Sequence, residues 1–88
     1  MNYLLVHHRV EDFARWKVLY DKDLPERERA EIAEVRMFRG ADEPNDVTLL
    51  FEARDLAKAK AFSESSRLHE AMKQAGVIGE PETTLLKD

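Results

Sequence analysis

The sequence predicts an α+β domain of βαββαβ order, and three observations carry that prediction. Four strand-like segments and two helical regions follow one another in that order along 88 residues. The connections between them are short. The most apolar strand-like runs are the first and the third, which this topology places at the centre of an antiparallel sheet with both helical regions on one face.

Tyr3 to Val10 opens with Tyr-Leu-Leu-Val and reads as a strand. Asp12 is an N-cap residue for a following helix, on which Phe13, Trp16, Tyr20 and Leu24 recur at steps of three and four. Pro25 ends or kinks that helix near Asp23, and a polar turn continues to Ala30. Ile32 to Arg39 is a second strand. Gly40 to Asp46 has a turn composition, and Val47 to Ala53 is a third strand, which closes an antiparallel hairpin with the second. Asp55 caps the second helical region. There Leu56, Ala59 and Phe62 share a face, Ser63, Ser65 and Ser66 interrupt it, and Leu68, Ala71, Met72 and Ala75 resume it. Two helical pieces with a serine-capped joint are expected. Gly76 sits where a helix terminates in a left-handed residue, and Pro81 precedes a last strand from Glu82 to Lys87. Strands two and four carry Glu34, Arg36, Arg39, Thr83, Thr84 and Lys87, the polar residues that suit sheet edges.

Composition bounds the rest. The chain is 43% apolar and 36% charged, with no cysteine, so disulfides and thiolate metal sites are excluded. One domain over residues 1–88 is expected. No apolar run exceeds four residues, well short of a membrane span, and the first residues lack a basic stretch with a cleavage site, so a cytoplasmic location is expected. The net charge is −4 with the signs mixed. The densest cluster, Glu26 to Glu31, alternates in sign and reads as a solvated helix face, and nucleic acid is not an expected partner.

The central strands also predict an association. Leu5, Leu49 and Phe51 stand at odd positions, and Leu4, Val6 and Leu50 at even ones, so apolar side chains point to both faces of the sheet. Helices cover one face only. The other is expected to be covered by a second copy, a homodimer joined sheet to sheet.

The run Leu5-Val6-His7-His8-Arg9-Val10-Glu11-Asp12-Phe13, with Trp16 one turn on, resembles small bacterial proteins of the dimeric α/β-barrel superfamily. So do Phe38-Arg39 leading into Asp42-Glu43-Pro44-Asn45, then Phe51-Glu52, Ala59-Lys60-Ala61-Phe62, and Ala71 to Val77. The resemblance covers most of the chain. It implies a ferredoxin-like fold and a homodimer, within a superfamily that mixes cofactor-free monooxygenases, polyketide cyclases, haem-degrading enzymes and members without known activity; fold alone does not choose among them. The nearest resemblance is to cyclase-like and antibiotic biosynthesis monooxygenase-like proteins. Haem-degrading members carry a histidine and a tryptophan on the second helix, at places that fall on Met72 and Ser65 here, which weakens the haem reading.

Few residues are available for chemistry. His7 and His8 are adjacent on a strand, point to opposite faces and cannot chelate one ion together. His8 shares a face with Leu4 and Val6, and the similar proteins tend to carry histidine there. It reads as a general base in a pocket, or as a half-buried histidine bonded to a neighbour. Trp16 and Tyr20 lie one turn apart on one helix face, as pocket lining or as the helix's core contact. Arg36 can meet Glu52 across the hairpin, either to bind an enolate or carboxylate or as a plain edge ion pair. His69 opens the second helical piece and can border the pocket at the kink.

Two functions compete. One is a cofactor-independent monooxygenase- or cyclase-type enzyme acting on an apolar aromatic or polyketide-like molecule, with His8 as catalytic base and Trp16, Tyr20, Arg36 and His69 as substrate contacts. The other is a non-catalytic dimeric binding or accessory module. Neither needs a cofactor or a metal, and the sequence has no metal-spaced cluster, glycine-rich phosphate loop or Ser/His/Asp set.

Overall fold

The computed structural model describes residues 1–88. Its elements run β1 (Asn2–Val10), α1 (Phe13–Lys22), α2 (Leu24–Arg29), β2 (Ile32–Arg39), β3 (Asp46–Ala53), α3 (Leu56–Glu64), α4 (Ser66–Gln74) and β4 (Val77–Lys87). The four strands form one antiparallel sheet in the order β2-β3-β1-β4. This is the expected ferredoxin-like arrangement, with the apolar strands in the middle.

Local chemistry sets the helix boundaries. The side chains of Asp12, Asp55 and Ser65 each accept a hydrogen bond from the backbone N–H three residues on, at 3.1–3.2 Å. Caps of this kind are worth about 1 kcal/mol each. Ser65 is the joint between α3 and α4, as its place among the serines predicts. Beyond α4, Gly76 takes φ +89°, a left-handed conformation costly for a residue with a Cβ, and turns the chain into β4.

The expected polar turn after Pro25 is in fact a separate helix, α2. Asp23 ends α1 and begins α2, and Pro25 falls in the first turn, where a missing N–H costs nothing. The last strand also begins earlier than expected. It starts at Val77 and runs through Pro81 because the register against β1 slips: His7 pairs with Glu82, yet Arg9 pairs with Ile78. The extra β4 residues form a bulge on an edge strand, one of the few places where a sheet tolerates proline.

The register corrects one inference from the sequence. Leu4 lies opposite Phe51 and Val6 opposite Leu49, so even positions of β1 share a face with odd positions of β3. Leu4, Val6, Val10, Val47, Leu49, Phe51 and Ala53 therefore lie together under the helices, joined by Ile32, Trp16 and Ala59. Of the six apolar residues named above for the central strands, only Leu5 and Leu50, which face each other, turn to the other side. They are supplemented by Phe38 and Leu86 from the edge strands, 46% and 40% exposed. No element of the chain covers this face. No helix is long and apolar enough to cross a membrane.

One side chain ties the hairpin to the start of α1. Asn45 accepts from Phe13 N–H at 3.0 Å and donates to the Glu11 carbonyl at 3.3 Å, while its own carbonyl accepts from Val10 N–H at 2.8 Å.

Candidate functional site

The layer between helices and sheet is not filled. Of the later helices, α3 buries only Ala59 and Ser63, and α4 has no buried residue at all. A cavity of about 240 Å³ remains. Leu4, Val6 and His8 of β1, Leu49 and Phe51 of β3, Trp16 and Tyr20 of α1, Arg27 of α2, and Phe62, Leu68 and Met72 of the later helices line it, with Thr83 from β4. The exposed residues Leu19, Lys22 and Gln74 also border it.

His8 is 5% exposed. It stands opposite Val47, and the register slip in β4 leaves it without a partner on that side. Its Nδ1 is closed off from solvent and has no hydrogen-bond partner, and no protein group bonds Nε2. The ring meets Trp16 edge-on at 5.4 Å. Burial pushes the imidazole below its ordinary value, opposed in part by its own backbone; His7 lowers it further and Asp46 raises it. A neutral imidazole facing an apolar cavity is a competent proton acceptor.

The shift has a measurable consequence. As pH falls through 6.5, the ordinary value, the unfolded chain protonates His8 before the folded one does. The stability associated with His8 is therefore complete above 6.5 and lost as pH drops from there towards the lower folded value. Replacing His8 with Gln is expected to flatten this loss, whose slope is at most about 1.4 kcal/mol per pH unit for one proton. Urea unfolding of both proteins over a pH series checks it; parallel curves below 6.5 would count against a neutral buried His8.

Trp16 is buried and stacks on Tyr20, with centroids 4.8 Å apart and planes at 23°. Both line the cavity, Trp16 is also part of the core, and Tyr20 packs against it. The Tyr20 hydroxyl, however, donates to Glu34 Oε1 at 2.7 Å. Burial, and after it that bond to Glu34, holds the phenol far above its ordinary value. Tyr20 thus presents its ring to the cavity while its proton is committed elsewhere.

Two expected contacts lie outside the cavity. Arg36 is on the helix-free face opposite Leu50, with its guanidinium 4.9 Å from the Phe38 ring centre. The reason is a bulge at Val35. Glu34 pairs with Phe51 but Arg36 with Leu50, so the strand's parity switches and Arg36 leaves the face that carries Ile32 and Glu34. Arg36 and Glu52 make no ion pair. His69 is exposed on α4, and its Nε2 bonds the Ser63 carbonyl at 3.1 Å, satisfying an acceptor in the last turn of α3. Adjacent His7 does point to the opposite face from His8, where its Nε2 meets Asp46 Oδ1 at 2.6 Å.

One cavity residue was not anticipated. The Glu26–Glu31 cluster is not wholly a solvated face, because Arg27 is 6% exposed. The signal was available in the spacing: Tyr20 follows Trp16 by four residues and Arg27 follows Tyr20 by seven, so Arg27 continues their face into α2.

No protein-family model matches the sequence, and no curated protein matches it significantly. Solved structures do. A Bordetella bronchiseptica protein provisionally described as an antibiotic biosynthesis monooxygenase superposes with a TM-score of 0.79 at 16% identity, over 99% of this chain and 95% of that one. SnoaB of Streptomyces nogalater, a cofactor-independent oxygenase, gives 0.72 at 11% identity, over 99% and 91%. A conserved protein of Methanosarcina mazei gives 0.71 at 14%, over 98% and 90%. The likeness is one of fold. This chain has a ferredoxin-like architecture, and the neighbours that share it include proteins described as antibiotic biosynthesis monooxygenases and a cofactor-independent oxygenase.

Proposed function

We propose that the chain binds an apolar, ring-bearing small molecule in the cavity and removes a proton from it with His8, as a cofactor-independent monooxygenase- or cyclase-type enzyme. The observation that supports this most is His8 itself: a buried imidazole without a protein partner, on the wall of an otherwise apolar cavity. The closed-off Nδ1 carries the cost of an unpaired buried group, about 1–3 kcal/mol, and Nε2, which no protein group bonds, is the nitrogen left to meet a ligand. Size narrows the ligand. Benzene fits a dry cavity of about 150 Å³, so 240 Å³ suits one or two fused rings, with larger groups projecting past Leu19 and Lys22.

The functional unit in this reading is a homodimer joined through the helix-free face. Four strands about 4.8 Å apart and eight residues long at about 3.3 Å each span roughly 500 Å² of flat sheet. A standard interface buries roughly 800 Å² per partner, so a stable pairing would use the whole of this face, edge residues Phe38 and Leu86 included.

A second reading is a binding module without turnover, favoured by the engagement of the Tyr20 hydroxyl with Glu34, which leaves His8 as the one unbonded polar side chain among the buried residues of the wall. Exchange of His8 for Ala separates the two. Native mass spectrometry of the protein purified from its host is expected to show a dimer carrying a small aromatic molecule. The His8→Ala protein, folded by circular dichroism, is expected to carry the same skeleton unconverted if His8 is the base. An identical ligand profile in both proteins would remove His8 from the chemistry and leave the binding module.

A further inference from the structure

Arg27 is a buried cation without a counterion. A guanidinium remains charged at any accessible pH, and removing it from water costs several kcal/mol unless an acid compensates. None of the chain's ion pairs includes Arg27. Its one side-chain hydrogen bond runs from Nη1 to the Tyr20 carbonyl at 2.8 Å, and its guanidinium lies 3.7 Å from the Tyr20 ring centre. These contacts hold the head in place but bring no negative charge.

The acids nearby are already engaged. Asp23, which also lines the cavity, is held by Arg67 through two bonds of 3.1 and 3.2 Å. Glu34 accepts the Tyr20 hydroxyl, and Glu26 pairs with Arg29. Lys22 adds a second positive charge at the mouth. The remaining wall is mostly apolar, so a charge bound there is weakly screened.

We propose that the cavity selects ligands bearing an ionised acidic oxygen, a carboxylate in its simplest form, which seats on the Arg27 guanidinium. This rests on the cavity being a ligand site, and adds the class of ligand to that reading. The series of ring contacts gives the pose: His8 meets Trp16, Trp16 stacks on Tyr20, and Tyr20 carries Arg27. A planar acid lying along this series presents its ring to Trp16 and Tyr20 and its acid group to Arg27, with the planar fork of donors suited to two-point recognition. His8 then stands at the end of the series remote from the acid.

The alternative is that Arg27 only serves the fold, its charge favourable near the C-terminal end of α1. A matched pair of probes decides. Trp16 is the only tryptophan, so its indole N–H is a single resonance reporting directly on the cavity. Titration with 2-naphthoate and with its neutral isostere 2-naphthamide at neutral pH is expected to show the acid binding at least about tenfold more tightly. In the Arg27→Met protein that preference is expected to vanish while the amide binds as before; Arg27→Lys is expected to keep part of it. Equal affinity for the two probes in the unaltered protein overturns the proposal and leaves the cavity as a site for neutral ligands. Failure of both to bind overturns the proposal together with the reading beneath it. A preference that survives in folded Arg27→Met moves the anion to Lys22 and overturns the assignment. Should Arg27→Met not fold, Lys22→Met takes its place: a preference kept there supports Arg27, and a preference lost there overturns the assignment.

Discussion

Exchange of Trp16 for alanine is expected to cost about 3–5 kcal/mol of stability, the range for a large buried aromatic. Trp16 is 3% exposed and touches three other rings, those of His8, Phe13 and Tyr20, at 5.4, 5.7 and 4.8 Å. Edge-on and stacked pairs of this kind contribute beyond simple burial. At roughly 0.05–0.15 kcal/mol per residue a chain of this size has a small total margin, and the loss takes a large part of it. The existing cavity adds to the cost, because the alanine void joins space that is already open and has few neighbours able to collapse into it. Urea unfolding followed by circular dichroism measures the effect, and Trp16→Phe should recover more than half of it. A loss below about 1 kcal/mol would mean that the indole is only a wall of the cavity and not a member of the core.

That double membership explains why the sequence resolves the fold more sharply than the site. Asp12, Asp55, Ser65 and Gly76 act within a few residues of themselves, so their chemistry is readable in one dimension and the helices end where they indicate. The site depends on contacts that cross the chain. The bulge at Val35 switches the parity of β2, and only the pairing with Leu50 reveals that Arg36 has moved to the helix-free face. The β4 slip beside His8 is equally invisible locally, since it is set by which residues of β1 and β4 meet. His69 was readable as polar and near a kink, yet not as the partner of the Ser63 carbonyl, because that contact depends on how α4 folds back on α3. Arg27 is the instructive omission. Its neighbours alternate in sign and suggest solvent on every side, whereas its spacing from Tyr20 places it on the buried face, and burial wins.

The helix-free face supports the second large effect. Leu5 and Leu50 lie opposite each other on the two central strands, with Arg36 beyond one and Thr84 beyond the other. A two-fold pairing of sheets would place this row near its axis, where each leucine faces the same patch on the second copy. Leu50→Lys then introduces two like charges into the most desolvated part of the contact. The expected result is a loss of association of at least about 2–4 kcal/mol, a factor of thirty to a thousand in the dissociation constant. Sedimentation velocity at micromolar concentration is expected to show a dimer for the unaltered protein and a monomer for Leu50→Lys. Stability should move with association, because a species bound only in the folded state stabilises it by mass action. The unaltered protein's unfolding midpoint is therefore expected to rise with concentration, and that of Leu50→Lys to stay flat. The prediction separates the two faces of one sheet: Leu50→Lys should leave the Trp16 indole resonance in place, because neighbouring Leu49 and Phe51 point the other way, into the core. An unaltered protein that sediments as a monomer would sink the homodimer, and the exposed Phe38 and Leu86 would then need another partner.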